Sequence, residues 1–330
     1  MTLLLLFAVW NYSYDFGVIA KYDNNIYAYS DEYIDDFINQ ANAYRFPFDT
    51  YDDLITSADL NLRFRNKLFG KRTTTLSVDL AANHYLQNRE KDYVRYRFGV
   101  RQSLGEYALK LSYRIIPGYL IRYYQNPQTP TTDYIGCRAT YHTASAKLSI
   151  MKIKNINVDV AYSRRWDDYI EEFNRYDADG HIVGLSMVKK IGKYLDLGFS
   201  YNYRVSNADS ADVVASGNEI TPDGSYYQHT LGGNIGWQTM FIFPTLFKCQ
   251  YSYSYRNYST SLEEDYLHFG RQDHQHRIML STQSRVLTGM HLKLFFMRQW
   301  RDATSEIYPE IDAIKDYSKH QVGAGLEFYQ

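Results

Sequence analysis

Residues 58 to 68 read ADLNLRFRNKL, and this stretch decides the fold. Ala58, Leu60, Leu62, Phe64 and Leu68 fall on one face of an extended chain. Asp59, Asn61, Arg63, Arg65 and Lys67 fall on the other. Successive side chains of a strand point to opposite sides, so alternation of period two marks a strand with one apolar and one wet face. Residues 93 to 101 repeat the device, with Val94, Tyr96, Phe98 and Val100 against Arg95, Arg97 and Arg101. Residues 106 to 115 set Tyr107, Leu109, Leu111, Tyr113 and Ile115 against Lys110, Ser112 and Arg114. The pattern persists for about 10 to 17 residues, whereas strands of soluble proteins average about five or six. Strands of that length match a transmembrane β-barrel, whose apolar face meets lipid and whose charged face lines the lumen.

Working outward, the alternation predicts strands at about 12–22, 54–69, 72–87, 93–104, 106–124, 133–151, 156–168, 181–191, 193–206, 226–239, 244–258, 274–287, 290–302 and 318–330. Six connections are short: 70–71, 105, 152–155, 192, 240–243 and 288–289. The longer ones alternate with them, as short periplasmic turns alternate with long external loops. The expected fold is therefore all-β: a transmembrane antiparallel up-and-down β-barrel of about fourteen strands, with twelve or sixteen as alternatives. One domain is expected over 11–330, with external loops at 23–52, 168–180, 207–225, 259–273 and 303–317. No apolar run reaches the roughly 18 to 20 residues of a spanning helix. The 34 tyrosines among 330 residues suit strand ends at a membrane interface, as do Trp10, Trp166, Trp237 and Trp300.

The last predicted strand ends VGAGLEFYQ, with Val322, Ala324, Leu326 and Phe328 on the lipid side. It resembles the carboxy-terminal signal of bacterial outer-membrane proteins in Gly325, Leu326 and Phe328; Gln330 stands where the family usually has Phe or Trp. Residues 22–26 (YDNNI) and 29–31 (YSD) are similar to openings of uncharacterised outer-membrane barrel proteins. The resemblance implies a porin-like barrel in a Gram-negative-type envelope, delivered by the barrel-assembly machinery through its last strand. Its other partners would be outer-membrane lipid and lipopolysaccharide; monomer and trimer both stay open. Residues 3–10 (LLLLFAVW) are read as a truncated export signal within 1–10, or as a segment preceded by further residues, in preference to a mature segment.

Fifteen basic residues fall on predicted lumen faces against five acidic ones, while the whole chain carries a formal charge of -1. Eight form a ladder on the second, fourth and fifth strands: Arg63, Arg65, Lys67, Arg95, Arg97, Arg101, Lys110 and Arg114. The compensating acids crowd the loops, eight against one base in 23–53. A basic wall in a low-dielectric cylinder concentrates anions. The alternative is that these bases pair with lumen aspartates and folded-in loops. Fourteen strands tilted near 40° give a backbone diameter of roughly 28 Å and an opening on the order of 10 to 15 Å. The segment DEYIDDFINQ sets Tyr33, Ile34, Phe37 and Ile38 on one helical face. It would either constrict the mouth or pack on its rim.

No nucleophile elbow, phosphate loop or zinc-protease motif is present, so an enzyme is not expected, nor a cofactor or bound metal. His274 and His276 share one side of a strand but lack a third ligand. Asp167, Asp168, Glu171 and Glu172 read as a solvated loop, with calcium or a bridge to lipopolysaccharide as the sharper alternative. Cys137 and Cys249 lie on predicted strands that are not neighbours, so no disulfide is expected. The expected function is a passive channel for small anionic solutes with no nucleic-acid partner. The alternatives are a loop-plugged surface or adhesin-type barrel and, further off, an enzyme at the rim.

Overall fold

The computed structural model describes residues 10–129, 132–150, 155–210 and 222–330. Residues 1–9 of the expected signal segment, 152–154 of one short turn and 211–221 of one long loop lie outside the described residues. Fourteen antiparallel strands close into one barrel, each paired with its sequence neighbours and β1 with β14. They are β1 (Asn11–Asp23), β2 (Asp53–Phe69), β3 (Arg72–Tyr85), β4 (Tyr93–Ser103), β5 (Tyr107–Gln125), β6 (Tyr134–Ile150) and β7 (Ile156–Tyr169). The second half comprises β8 (Ala178–Ile191), β9 (Leu195–Ala208), β10 (Tyr226–Met240), β11 (Pro244–Tyr258), β12 (Arg271–Leu287), β13 (Met290–Ser305) and β14 (Tyr317–Tyr329).

The alternation holds because closure leaves each strand one lipid face and one lumen face. Leu111, Val160, Leu185, Phe199, Ile235, Leu280 and Val322 are all exposed on the outside. Several strands run further toward the loops than alternation suggests. β12 starts at Arg271 and β13 ends at Ser305, because backbone pairing continues after the outward side chains have turned polar.

The seam between β1 and β14 depends on side-chain size. A Cβ on Gly325 would lie 2.4 Å from the Val18 carbonyl oxygen, so only glycine lets β14 approach β1 there. β5 is irregular at its loop end. Pro117 and Gly118 (φ +55°) sit in a register shift between Ile116 and Tyr119, and a second shift separates Leu120 from Arg122. Such bulges re-aim side chains, and here they turn Leu120 and Arg122 toward the first loop.

Two short helices cap the mouth. α1 (Asp31–Ile38) begins at Ser30, whose hydroxyl accepts the Tyr33 amide N–H, and α2 (Ile311–Lys315) precedes β14. They touch each other across the opening.

Candidate functional site

The register sets the lumen chemistry. Arg101 on β4 lies opposite Lys110 on β5, which lies opposite Lys147 on β6. Two inward rows nearer the loops, beyond Gly99 and Ser112, Arg97 lies opposite Arg114, and Arg114 opposite Thr143. Like charges directly opposite one another on a sheet are unfavourable, so these rows are a cost that the fold carries.

Part of the ladder is neutralised. Arg63 meets Asp15 at 2.6 Å and Arg95 meets Asp59 at 3.5 Å, all four side chains being about half exposed. Lys147 meets Asp159 at 2.9 Å. Arg114 donates to the Thr143 hydroxyl at 3.1 Å. Arg65, Lys67, Arg97, Lys110 and Arg114 form no ion pair among the described residues. Toward β14 acids join the wall: Asp15, Asp59, Asp79 and Glu327 line one cavity of about 400 Å³ together with Arg95 and Arg97. The lumen thus carries its facing cations over β4 to β6, while around β14 to β3 acids and the β2 bases Arg63, Arg65 and Lys67 are mixed. Asp15 and Lys147, which alternation also places inward, were not counted from sequence, because their strands lack a clean charged face.

The mouth is built differently. The first long loop folds inward around an aromatic core in which Tyr27 stacks on Phe48 at 4.4 Å and Phe37 on Phe48 at 5.3 Å. Barrel residues Ile55, Tyr85 and Leu120 complete it, so the loop is packed on the inner wall. Tyr33, Ile34 and Phe37 of α1 pack against this core, whereas Ile38 is 59 % exposed. Ile38 is the last residue of an eight-residue helix, beyond the aromatic cluster, and the expected apolar face ends one residue short of it.

Cations hold the loop down. Lys91, in the turn between β3 and β4, is 1 % exposed and donates to the Leu120 and Ile121 carbonyls, both at 3.1 Å, with Tyr27 beneath it at 4.4 Å. Burial, aided by the Lys319 and Arg122 charges, brings its ammonium down to about 7. Arg122 donates to the Ala28 carbonyl at 3.1 Å and lies over Tyr29. Asp53 accepts the amide N–H groups of Leu86, Gln87 and Asn88, tying the β3–β4 turn to β2.

On the other side Arg271 grips Asp273 through two bonds of 2.7 and 2.8 Å, while Arg301 approaches Asp273 at 3.9 Å and donates to the Lys315 carbonyl at 2.8 Å. These guanidinium groups lie over Tyr258 and Tyr317 at 4.7 and 4.8 Å. None of this mouth chemistry is visible in the sequence, because its partners come from different strands and loops. The one available signal was the excess of arginine and tyrosine near strand ends.

The alternative sites resolve into other roles. His274 and His276 lie on the outer face, each bonded to a tyrosine hydroxyl. Among the described residues no group of three or more histidine, cysteine or acidic side chains could hold a metal. Asp167 is taken up by Arg165 and Arg204, while Asp168 faces His142 at 3.2 Å. Cys137 is a buried thiol on β6 and Cys249 an exposed one on β11.

No family model matches the chain, and no curated protein matches its sequence. Solved structures match its shape. A loop-L8 deletion mutant of OmpT, an outer membrane protein of Vibrio cholerae, superposes with a TM-score of 0.51 at 6% identity, covering 98% of this chain and 100% of that one. The outer membrane channel DcaP of Acinetobacter baumannii superposes with a TM-score of 0.51 at 10% identity, covering 97% of each chain. In-vitro folded OmpT gives 0.50 at 8% identity, again covering 97% of each. The chain shares the fold of bacterial outer-membrane barrels, and a closed barrel with an apolar outer band places it in the outer membrane of a Gram-negative bacterium.

Proposed function

We propose that this protein is a passive outer-membrane channel that favours small anions. The observation that carries the reading is the in-register row Arg101–Lys110–Lys147 beside the row Arg97–Arg114. Facing cations waste stability unless water and mobile anions screen them, and a wet, anion-rich lumen supplies both. The acids near β14 orient a passing solute without cancelling the field, since Arg97, Lys110 and Arg114 form no ion pair among the described residues, while Lys147 meets Asp159. Nothing in the lumen performs chemistry on the solute in this reading. The first loop narrows the mouth, and α1 adds an acidic outer rim that slows the entry of anions.

The test is single-channel recording of the detergent-purified, folded protein in a planar bilayer with a potassium chloride gradient. Stable steps whose reversal potential lies toward chloride support the reading; a reversal toward potassium overturns it. A second reading, a plugged surface barrel, is favoured by the aromatic core under the first loop. It predicts a silent bilayer that becomes conducting when residues 27–48 are replaced by a short glycine-serine linker.

A further inference from the structure

Three inward rows cross the wall from β3 to β7, each residue standing opposite the next. The row nearest the loops reads Asp79, Arg97, Arg114, Thr143 and Arg165. The deepest reads Thr75, Arg101, Lys110, Lys147 and Ala161. Between them runs a row without charge: Ser77, Gly99, Ser112, Ser145 and Ser163. Successive inward rows differ by two residues, so the two cationic rows stand four residues, about 13 Å, apart along the strands.

The middle row is a recess, because serine and glycine are short where the rows on either side carry long side chains. A Cβ on Gly99 would lie 2.6 Å from the Ser77 hydroxyl oxygen and 3.5 Å from Lys110 Cε. The missing side chain lets that hydroxyl and the Lys110 stem lie over β4, so Lys110 leans toward the recess from below. Ser163 donates to the Ser145 hydroxyl oxygen at 2.8 Å, and all four serines are partly exposed to the lumen. Three carboxylates approach, each with a partner of its own. Asp79 accepts from Asn61, Asp159 from Lys147 at 2.9 Å and Asp167 from Arg165. The cations of the two rows outnumber them, and Arg97 and Arg114 above and Lys110 below form no ion pair among the described residues.

We infer that this recess binds a sugar carrying an oxyanion at each end, its body against the serine floor and one oxyanion at each cationic edge. Two separated edges favour two charges set apart over one compact charge. A floor of hydroxyls both donates and accepts, so it suits a solute with hydroxyls of its own, whereas an apolar spacer would cover the serines without pairing them. The inference rests on the anion-channel reading and names the class of solute.

The test is titration calorimetry of the full chain folded in detergent. The probes are digalacturonate, its monomer galacturonate, and suberate, an open-chain dicarboxylate without hydroxyls. Digalacturonate is expected to bind about ten-fold more tightly than either, the scale of one or two added hydrogen bonds. Ser112→Ala with Ser145→Ala should bring digalacturonate to the suberate value and leave suberate unchanged. Lys110→Gln should instead bring digalacturonate toward galacturonate, since one end loses its cation. Heat-modifiable gel mobility confirms that each variant is folded. Equal binding of digalacturonate and suberate, or a preference that survives the double serine variant, overturns the inference. Calorimetry needs no current, so a bilayer that is silent or reverses toward potassium overturns the channel reading separately.

Discussion

The two ends of the lumen use the same residue types to opposite ends. At the mouth, Arg271 and Arg301 share Asp273 and lie on tyrosine rings, with side chains only 4 % and 15 % exposed. Lys91 has two carbonyls and an aromatic face. Deeper in the barrel, Arg97, Lys110 and Arg114 face other cations across the β4–β6 register and form no ion pair among the described residues, although Asp79 stands opposite Arg97 on β3. The difference is solvent. A buried charge needs a fixed partner because desolvation is expensive, whereas a charge in a water-filled lumen is screened by mobile ions and can be left to act at a distance. Arginine therefore serves as an adhesive at the packed mouth and, in the proposed channel, as a field source.

This contrast can be broken by experiment, starting with the largest change in stability. Asp273→Asn would leave Arg271 and Arg301 buried without their carboxylate and is expected to cost about 3–5 kcal/mol of mouth stability. Limited proteolysis of the 306–316 loop and the thermal midpoint report it. If Asp273→Asn is as stable as the parent, the mouth is wetter than its geometry implies.

A smaller effect should come from pH. Lys91 is held at about 7 against an ordinary value of 10.5. Between those values the opened loop, with its lysine in water, binds a proton that the closed loop does not. The closed mouth therefore gains stability as pH rises from about 7 toward 10.5 and shows no further change from this group below 7. Protease access to residues 24–52 should fall over that window, and Lys91→Met should flatten the profile.

The smallest stability effect belongs to the ladder. Arg97→Gln with Lys110→Gln removes facing like charges, so the thermal midpoint should hold or rise slightly, within about 1 kcal/mol. Chloride preference in the bilayer should nevertheless drop. A marked loss of stability with unchanged selectivity would show these cations to be structural and would remove the distinction between the two ends.

Much of the fold was legible because alternation is a property of a single strand. Ala58 to Leu68 declare their two faces without reference to any partner, and the alternation of short and long connections follows once the strands are found. The helical face of Tyr33, Ile34 and Phe37 was legible for the same reason. Its destination was not, since the core it joins draws Ile55, Tyr85 and Leu120 from three strands. The bonds of His274 and His276 to tyrosine hydroxyls also escaped the sequence reading, because a diagonal contact exists only once two strands have fixed their register.

The sequence by itself determined that this chain is an all-β barrel of about fourteen strands and which side chains alternate toward the outer face. Tertiary structure alone decided which cations are paired and which face one another, and that the first loop packs within the mouth. The reason lies in range. Period-two patterning is written between residues i and i+2, whereas Lys319 finds Asp23 at 2.8 Å across 296 residues of chain, a meeting that only barrel closure creates.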